Sequence, residues 1–533
     1  MPTVRDAAFD VLRRLGMTTI FSNPGSTEVS LLTDLPDDLE FVLGLHEASV
    51  VGMATGHALA SDRPALVILH TTAGLGNAVG ALATARVNRT PLVIIVGQQD
   101  RRHLAFEPFL AGHLLGLAGD YPVWVDQPVR PQDVPGSIAR AWHEARIGRG
   151  PALVIVPMDD WLSTTVGSED AAPVRMLVDR LPRPESVTEV ARLIGDSSNP
   201  ALVVGAGLDN VAGWRGATAL AERIGCAVYQ ESFGARAGFP QDHPQFAGHL
   251  PAGRSRLRAV LVPHDLVVVI GAPVFRQYPF EDGPLIPDGT SVVVVTDDSD
   301  EAARSPADLA ILADPAEFAQ QLAAEVPAGS VAAVPARHGQ RPAPAQHGSP
   351  LRAADVLVAL GERLPRNTIV VEETPSSRPD LHRLLPAREP LGFVSAAMGG
   401  LGFAMPAAIG LKMAAPDRPV VAVLGDGSSL YSIQSLWSAA RYDIGVLFVV
   451  LANGRYAIMD QLAAKEGTGP APWPAFEEVS VSGLAASLGC PVSRAAGITE
   501  LSEILDEVIP TLSTRKSPLI LEVGVLADRD FQS

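Results

Sequence analysis

Residues 419–454 read PVVAVLGDGSSLYSIQSLWSAARYDIGVLFVVLANG, and this stretch predicts a strand, a small-residue loop, a helix and a second strand. Both predicted strands are almost continuously apolar, which is typical of parallel strands that helices cover on both faces. Residues 64–97, PALVILHTTAGLGNAVGALATARVNRTPLVIIVG, follow the same plan. We therefore predict an α/β fold that contains two related domains.

Apolar runs of this kind recur along the chain and predict buried strands. They are residues 65–69, 92–96, 152–156, 201–204, 266–270, 292–296, 420–424, 446–451 and 518–523. Two segments lose the pattern, residues 162–184 and the Pro/Ala/Gly-rich residues 327–350. They divide the chain into blocks 1–162, 185–326 and 351–533, each long enough to bury its own core. The prediction is three doubly wound parallel-sheet domains, in which ligands bind beyond the carboxyl ends of the strands.

The composition narrows the function. The 533 residues carry a net charge of −18, which argues against nucleic-acid binding as the main activity. The longest apolar runs fall well short of the ~20 residues that span a bilayer, and the first residues lack the pattern of a secretory signal. Cys226 and Cys490 form no metal pattern, so we expect a reducing, cytoplasmic setting. Only three lysines are available for Schiff-base chemistry, and no histidine follows His382.

A glycine-rich motif follows one predicted strand of the third block. Residues 425–428 read Gly-Asp-Gly-Ser, and Asn453-Gly454 follow the next strand. Glycines let the backbone approach a phosphate, and a helix N-terminus attracts it. The side chains of Asp426 and Asn453 offer hard oxygen ligands, which Mg²⁺ binds together with phosphates. We favour a diphosphate–metal site here over the alternative, a pair of ordinary turns.

Other candidate residues have both a structural and a functional interpretation. Glu47 begins an apolar helix, where the helix dipole favours an acid in any case. His70 ends a buried strand, where it is either structural or an acid–base group. Residues 23–26, Asn-Pro-Gly-Ser, form a β-turn by composition or present Ser26 to a ligand. Residues 205–207 match part of a dinucleotide loop, but the third glycine is missing and we predict a structural role.

Together these pieces resemble the thiamine-diphosphate-dependent 2-oxo-acid decarboxylases, and among them the benzoylformate decarboxylases. The resemblance extends from about residue 5 to residue 525. The matching stretches, in order, are NPGSTE (23–28), HEASVVG (46–52), the His70 loop with GNAVGAL (76–82), PLVIIVGQQ (91–99), PAGRS (251–255), VVVIGAPVFR (267–276), EAARSP (301–306), GGLGFAMPAAIG (399–410), GDGSSLYSIQSLWSAARY (425–442) and ANGRYA (452–457). Many matches in one order are more specific than any single motif.

The resemblance implies a pyrimidine-binding domain (1–162), a central domain (185–326) and a diphosphate-binding domain (351–533). It implies thiamine diphosphate and Mg²⁺ as cofactors. It also implies a homotetramer, a dimer of dimers, with each cofactor between the first domain of one subunit and the third domain of its partner. The implied reaction is non-oxidative decarboxylation of an aromatic or branched, benzoylformate-like 2-oxo acid to an aldehyde and CO₂, through a ylid and an enamine of the cofactor.

The same resemblance implies roles for catalytic residues of the first domain. Glu47 is expected to hydrogen-bond the aminopyrimidine ring of the cofactor. His70 is expected to exchange a proton with the substrate oxygen, and Ser26 to orient the substrate carboxylate.

The third domain is expected to hold the cofactor. Asp426, the side-chain oxygen of Asn453 and the backbone carbonyl of Arg455 are the implied Mg²⁺ ligands. The other implied cofactor contacts are the Gly399 carbonyl and the Leu401 side chain at the rings, and Ser376, Gly427, Ser428 and Tyr456 near the diphosphate.

The chain departs from the family pattern after GAPVFR (271–276). The decarboxylases carry a second catalytic histidine there, and Tyr278 occupies the matching position. Because a phenol is a weaker acid than an imidazolium at neutral pH, we predict slower enamine protonation and a shift toward carbon–carbon ligation. The predicted substrate pocket consists of Pro24, Phe106, Phe109, Ile458, Met459 and Leu462.

Three alternative functions remain open at this point. The main alternative is a thiamine-diphosphate-dependent carboligase or lyase that resembles acetolactate synthase or benzaldehyde lyase. Tyr278 favours this alternative. A nicotinamide oxidoreductase rests only on residues 205–207. A cofactor-free regulatory relative is disfavoured, because it has no physical need for Glu47, Asp426 and Asn453.

Overall fold

The structure is a computed structural model that describes residues 1–165, 174, 176, 180–327, 350–467, 469 and 471–527. It contains three six-stranded sheets, and every pair of neighbouring strands in them is parallel. All nine predicted strands are present, and the prediction of three doubly wound α/β domains is confirmed. Most of the predicted connecting segments, 162–184 and 327–350, lies outside the described residues, so the domain limits stay predictions.

The first domain contains strands β1 (Thr19–Asn23), β2 (Glu40–Leu43), β3 (Ala65–His70), β4 (Leu92–Gln98), β5 (Trp124–Asp126) and β6 (Pro151–Pro157). Its helices are α1 (Val4–Leu15), α2 (Val29–Leu32), α3 (Glu47–Ser61), α4 (Thr71–Val87) and α5 (Val134–Gly148), with 3₁₀ turns at Ser26–Glu28, Leu104–Phe106, Pro131–Asp133 and Asp160–Leu162. The strand order is β2-β1-β3-β4-β6-β5. Every residue of β4 and β6 is buried, as expected for strands with helices on both faces.

The central domain contains strands β7 (Pro200–Val204), β8 (Ala227–Gln230), β9 (Phe246–His249), β10 (Leu266–Ile270), β11 (Ser291–Thr296) and β12 (Leu309–Leu312). Its helices are α6 (Pro184–Asp196), α7 (Val211–Ile224), α8 (Arg254–Leu261), α9 (Ser299–Arg304) and α10 (Pro315–Glu325), and a 3₁₀ turn covers Ala206–Leu208. The strand order is β12-β11-β10-β7-β8-β9.

The third domain contains strands β13 (Ile369–Glu373), β14 (Phe393–Ser395), β15 (Val420–Gly425), β16 (Leu447–Ala452), β17 (Val492–Ala495) and β18 (Leu519–Gly524). Its helices are α11 (Ala353–Gly361), α12 (Arg378–Leu384), α13 (Ala404–Ala414), α14 (Asp426–Ser429), α15 (Ser435–Arg441), α16 (Ala457–Glu466), α17 (Val481–Ser487) and α18 (Ile498–Val508), and a 3₁₀ turn covers Ile509–Thr511. The strand order is β14-β13-β15-β16-β18-β17. Within the described part of the chain, no helix has the length and apolar character needed to cross a membrane.

The first and third sheets have the same strand order, 2-1-3-4-6-5, when the strands of each sheet are numbered along the chain. In both, the order reverses between the first and third strands, a place that we call the switch point. Ligands of open α/β sheets bind there, beyond the carboxyl ends of the strands. Asn23 and His70 end the two strands at the first switch point, and Glu373 and Gly425 end those at the third-domain switch point.

Helices α3 and α13 join the first domain to the third at very close range. A Cβ atom placed on Gly410 of α13 would lie 1.8 Å from the backbone oxygen of Met53. A Cβ on Gly56 of α3 would lie 2.0 Å from the backbone oxygen of Ala407. Glycine is therefore required at the crossing, and one continuous hydrophobic cluster includes residues of both domains.

Glycines also fill the switch point of the central sheet, where β7 and β10 are neighbours. The Gly207 N–H donates to the Gly271 carbonyl at 2.8 Å, and a Cβ on Gly207 would lie 2.7 Å from the Gly271 Cα. A Cβ on Gly205 would lie 2.5 Å from Oε1 of Glu231, which follows β8. Protein backbone thus occupies the place where a dinucleotide loop would meet its ligand, in agreement with a structural role for residues 205–207.

We expect Gly410→Ala to destabilise the protein. The added methyl group overlaps the backbone of Met53, and overpacking of this kind typically lowers the free energy of unfolding by about 1–3 kcal/mol. Gly195→Ala in α6 is the matched control, because a Cβ there meets no atom within 4 Å. Thermal unfolding of both variants measures the effect, and an unchanged midpoint for Gly410→Ala would contradict the packing argument.

We expect Glu231→Gln to stabilise the protein increasingly as the pH rises from about 4.5 to about 8. Burial raises the pKa of Glu231 from its ordinary value of 4.5 to about 8, while Arg276 opposes this shift. Across that interval the unfolded chain releases a proton that the folded chain retains, so the wild type loses stability and the amide does not. Thermal midpoints across this range, with Asp288→Asn as an exposed control, measure the difference. A difference that does not change with pH would contradict the prediction.

Candidate active site

His70 lies against the turn formed by residues 23–28. Its Nδ1 is 2.9 Å from Oγ1 of Thr27 and 3.1 Å from Oε2 of Glu28. Ser26 begins the 3₁₀ turn of this segment, and its side chain is exposed. Asn23 is the last residue of β1 and the backbone of Gly25 is extended, so the tight turn lies at residues 25–28 instead of 23–26. It presents Ser26 outward, while the next two residues contact the histidine.

Glu47 is buried at the start of α3, and two amide side chains hold its carboxylate. Asn23 Nδ2 donates to Oε1 at 3.2 Å, and Asn77 Nδ2 donates to Oε2 at 3.0 Å. Only 8% of Glu47 is exposed. An acid that served only the helix dipole would need neither this burial nor the two amide donors. Sequence reasoning missed Asn77, because its contact with Glu47 arises only when α4 packs beside α3.

Asp426 joins the loops that follow β15 and β16. Its Oδ2 accepts hydrogen bonds from the backbone N–H groups of Asn453 at 2.8 Å and Gly454 at 2.6 Å, and its Oδ1 accepts one from Gly427 at 2.8 Å. Burial raises the pKa of Asp426, and these N–H groups offset only part of that effect. The structure thus brings together Asp426 and Asn453, which the sequence pairs at the ends of adjacent strands.

Glu373 anchors the turn that carries Gly399 and Leu401. The carboxylate accepts hydrogen bonds from the backbone N–H groups of residues 402–404, at 2.7, 2.8 and 2.7 Å. Burial raises the pKa of Glu373 to about 7 against these three donors. Gly399 has a φ of +73°, which favours glycine. Ser428 Oγ donates to the Glu373 carbonyl at 2.9 Å, so the glycine-rich motif and the turn share one support. Sequence reasoning missed Glu373, which has no motif of its own.

The loops of the third domain are also packed together around Gly427. A Cβ on Gly427 would lie 2.8 Å from the Tyr456 ring, and Phe476 packs edge-on against Tyr456 with 5.1 Å between ring centroids. Ser376 Oγ accepts a hydrogen bond from the Ile458 N–H at 3.1 Å. Ser376, Gly427 and Tyr456 therefore lie on segments that meet at the carboxyl edge of one sheet.

A cavity of about 1090 Å³ lies between the central and third domains and is lined by residues of both. Five residues that the sequence predicts to contact substrate or cofactor lie in its wall: Tyr278, Gly399, Leu401, Ile458 and Leu462. Burial raises the pKa of the wall residue Glu372, but Arg378, 2.7 Å away, together with the Thr374 N–H and the Ser395 hydroxyl, holds that pKa below its ordinary value. His249 and His382 stack with 3.8 Å between ring centroids, and burial lowers the pKa of His382 to about 3. Burial also lowers the pKa of His249 well below its ordinary value, so both stacked imidazoles are uncharged at neutral pH.

The other predicted pocket residues lie away from this wall. Phe106 and Phe109 are 83% and 89% exposed, and Pro24 and Met459 are exposed as well. Among the described residues, no hydrogen bond or ion pair joins the group around Glu47 and His70 to the group around Asp426. One chain thus presents two separate groups of polar residues, one at the switch point of the first domain and one at that of the third domain.

The two groups differ in the chemistry they offer. The first combines a carboxylate, an imidazole and a hydroxyl, which can move protons and orient an anion. The second offers the Asp426 carboxylate and the Asn453 amide oxygen, which suit a hard cation such as Mg²⁺. Within the described ranges, no cluster of three or more His, Cys, Asp or Glu residues is arranged to hold a metal ion.

Comparison with known families identifies each domain. The chain matches the N-terminal TPP binding domain of thiamine pyrophosphate enzymes over residues 2–115, their central domain over residues 187–322 and their C-terminal TPP binding domain over residues 376–523.

Full-length relatives agree with this assignment. A benzoylformate decarboxylase of Pseudomonas aeruginosa is 37% identical over 526 residues, which cover 98% of this chain and 99% of the relative. The thiamine diphosphate-dependent 4-hydroxybenzoylformate decarboxylase of Rhodococcus jostii RHA1 superposes with a TM-score of 0.94 at 32% identity, over 99% of this chain and 100% of that one. The benzoylformate decarboxylase of Polynucleobacter necessarius gives 0.94 at 34% identity, over 99% of each chain. The chain therefore belongs to the thiamine pyrophosphate enzyme family.

Proposed function

We propose that this protein catalyses the non-oxidative decarboxylation of an aromatic or branched 2-oxo acid to an aldehyde and CO₂. One observation carries the proposal: the turn at residues 23–28 contacts both Glu47 and His70 and presents Ser26. These three side chains supply the proton-transfer and anion-orienting groups that the reaction needs. The names of the relatives, decarboxylases of benzoylformate or 4-hydroxybenzoylformate, support an aromatic substrate.

Thiamine diphosphate with Mg²⁺ is the proposed cofactor. When bound, it supplies the carbon nucleophile that attacks the ketone and the electron sink that makes loss of CO₂ possible. The third-domain switch point fits this group, because Asp426, Asn453 and the Arg455 carbonyl offer hard oxygen ligands and a cation would offset the burial of the carboxylate. The other proposed contacts are Gly399 and Leu401 at the rings, and Ser376, Gly427, Ser428 and Tyr456 near the diphosphate.

Glu47 is proposed to form a hydrogen bond with a ring nitrogen of the cofactor's aminopyrimidine and to exchange a proton with it. Asn23 and Asn77 donate to its two oxygens and so fix the plane of the carboxylate before the cofactor arrives. Burial excludes water from the carboxylate, which strengthens the hydrogen bond that it makes with a ring nitrogen.

His70 and Ser26 are proposed to act on the substrate. In its protonated form, which carries a proton on each ring nitrogen, His70 would donate the Nε2 proton to the ketone oxygen as negative charge develops there, and take it back when the aldehyde leaves. The exposed Ser26 hydroxyl would hydrogen-bond the substrate carboxylate and orient it for loss of CO₂.

Carbon–carbon ligation is the second candidate function, and Tyr278 favours it. Tyr278 lines the cavity together with Leu401 and Ile458, and 60% of the tyrosine is exposed. The decarboxylases have a histidine at this position, which is a stronger acid when protonated. A slower protonation step would leave more time for a second aldehyde to react.

The proposed assembly is a homotetramer, a dimer of dimers, in the cytoplasm, with residues 1–162, 185–326 and 351–533 as the pyrimidine-binding, central and diphosphate-binding domains of each subunit. Burial of the exposed Phe106 and Phe109 side chains against a second copy would remove apolar surface from water. A second copy could also bring the first-domain group of one subunit to the third-domain group of the other. The two free, buried cysteines agree with a reducing compartment.

We expect the purified protein, supplied with thiamine diphosphate and Mg²⁺, to release CO₂ from benzoylformate, and Glu47→Gln to reduce kcat/KM at least about 100-fold. The amide cannot hold the proton that the carboxylate exchanges. Glu185→Gln, an exposed acid in the first turn of α6, is the matched control. Absence of CO₂ release from a panel of aromatic and branched 2-oxo acids would overturn the function, whereas near-normal turnover in Glu47→Gln would overturn only its role.

We expect Tyr278→His to raise the ratio of free aldehyde to ligated product, because an imidazolium protonates the bound product faster than a phenol. Product analysis with and without added aldehyde acceptor gives this ratio. Tyr278→Phe, which removes only the hydroxyl, separates the acid from the ring. An identical product ratio in the parent and in Tyr278→His would rule out this account.

A further inference from the structure

We propose that Glu28 is a positioning residue that fixes the tautomer of His70 and leaves Nε2 of the ring free for the substrate. The inference rests on the function proposed above, because it concerns the group that would move the proton. It assigns a role to a buried carboxylate that has no part in the scheme so far.

The contacts of Glu28 converge from three directions. Only 2% of the residue is exposed, so its charge depends on protein partners. Oε2 accepts a hydrogen bond from the Gly25 N–H at 2.7 Å and lies 3.1 Å from His70 Nδ1. Oε1 accepts a hydrogen bond from the Thr27 hydroxyl.

These contacts determine where the ring proton lies. Thr27 gives its one proton to the carboxylate, so its Oγ1, 2.9 Å from Nδ1, can only accept on that side. The carboxylate of Glu28 is an acceptor as well. Because both groups that face Nδ1 are acceptors, Nδ1 carries the proton of the neutral ring.

The other ring nitrogen is left available. Among the described residues, no group is hydrogen-bonded to Nε2 of His70, and 16% of the side chain is exposed. A neutral ring with its proton on Nδ1 presents a lone pair at Nε2, and the protonated ring presents an N–H there. Nε2 can therefore take up and return a proton while the contact at Nδ1 persists.

Two glycines leave the space that this arrangement needs. A Cβ on Gly25 would lie 2.4 Å from the His70 ring, so the ring packs directly on the backbone of the turn. A Cβ on Gly97, at the end of β4, would lie 1.8 Å from Oε1 of Glu28 and 2.4 Å from Oγ1 of Thr27. Any larger residue at position 97 would displace both groups that face Nδ1.

A purely structural role explains less of this geometry. Glu28 caps the 3₁₀ turn through the Gly25 N–H, and one carboxylate oxygen in that contact would satisfy the cap. Capping does not require His70 to lie within hydrogen-bond distance of the same oxygen. It also does not require Thr27 to direct its proton toward the carboxylate.

A double-mutant cycle tests the proposal with the full-length protein, thiamine diphosphate, Mg²⁺ and benzoylformate. We expect Glu28→Gln to lower kcat about 10- to 100-fold with KM changed less than about threefold. In a His70→Ala background the same substitution should change kcat less than about threefold, since there is no ring left to position. Equal losses in both backgrounds would show a structural role and overturn the proposal.

Two further variants keep the test sharp if Glu28→Gln folds poorly. Glu28→Asp retains a carboxylate and should recover part of the lost kcat. Gly97→Ala displaces the carboxylate without removing it and should give the same loss of kcat as Glu28→Gln. Gly136→Ala is the matched control, because a Cβ there meets no atom within 4 Å. Wild-type kcat in Gly97→Ala would overturn the proposal.

A spectroscopic measurement separates this inference from the proposed function. In protein with ¹⁵N-labelled histidine, the His70 signals, assigned by comparison with His70→Ala and read at a pH high enough for the ring to be neutral, should show a protonated Nδ1 and an unprotonated Nε2. Glu28→Gln should shift the proton toward Nε2. A wild-type ring with its proton on Nε2 would overturn the proposal, whether or not the protein releases CO₂. Absence of CO₂ release together with the expected tautomer would overturn only the proposed reaction.

Discussion

The backbone contact between α3 and α13 is the constraint on which the relation between the first and third domains depends. Gly56 and Gly410 let the two helices approach until a methyl group would collide with the opposing carbonyl. Helix α3 begins at Glu47, and α13 begins directly after the turn that carries Gly399 and Leu401. The crossing therefore fixes the position of the first residues of both helices relative to one shared hydrophobic cluster. A rotation of one domain against the other would pull this cluster apart.

The functional residues also share a second constraint, the burial of carboxylates. Glu47, Glu373 and Asp426 are each less than one tenth exposed, and backbone or amide N–H groups face each of them. A buried carboxylate is costly unless donors or a cation compensate it. A buried carboxylate stabilises the fold only when its hydrogen-bond donors are already in place. These hydrogen bonds therefore hold the surrounding residues rigid before any ligand binds.

The sequence predicts the architecture well where the physical signal is local. Strands that are buried on both faces must be apolar at nearly every position, so runs such as 420–424 identify themselves. The order in which the strands pair has no local signal, because it depends on crossovers and helix packing. The same limit applies to Asn77, Glu28 and Glu373. Each is an ordinary polar residue in the sequence, and its contact with the site exists only after distant elements have folded together.

The common strand order of the first and third sheets has an evolutionary consequence. The chain presents the same corner of the same architecture twice, with His70 as the last residue of the third strand in one copy and Asp426 directly after the third strand in the other. Duplication of one ancestral module would produce this arrangement. Divergence at a single place in the module, the carboxyl end of its third strand, would then divide the work between the copies, with acid–base chemistry in one and ion binding in the other.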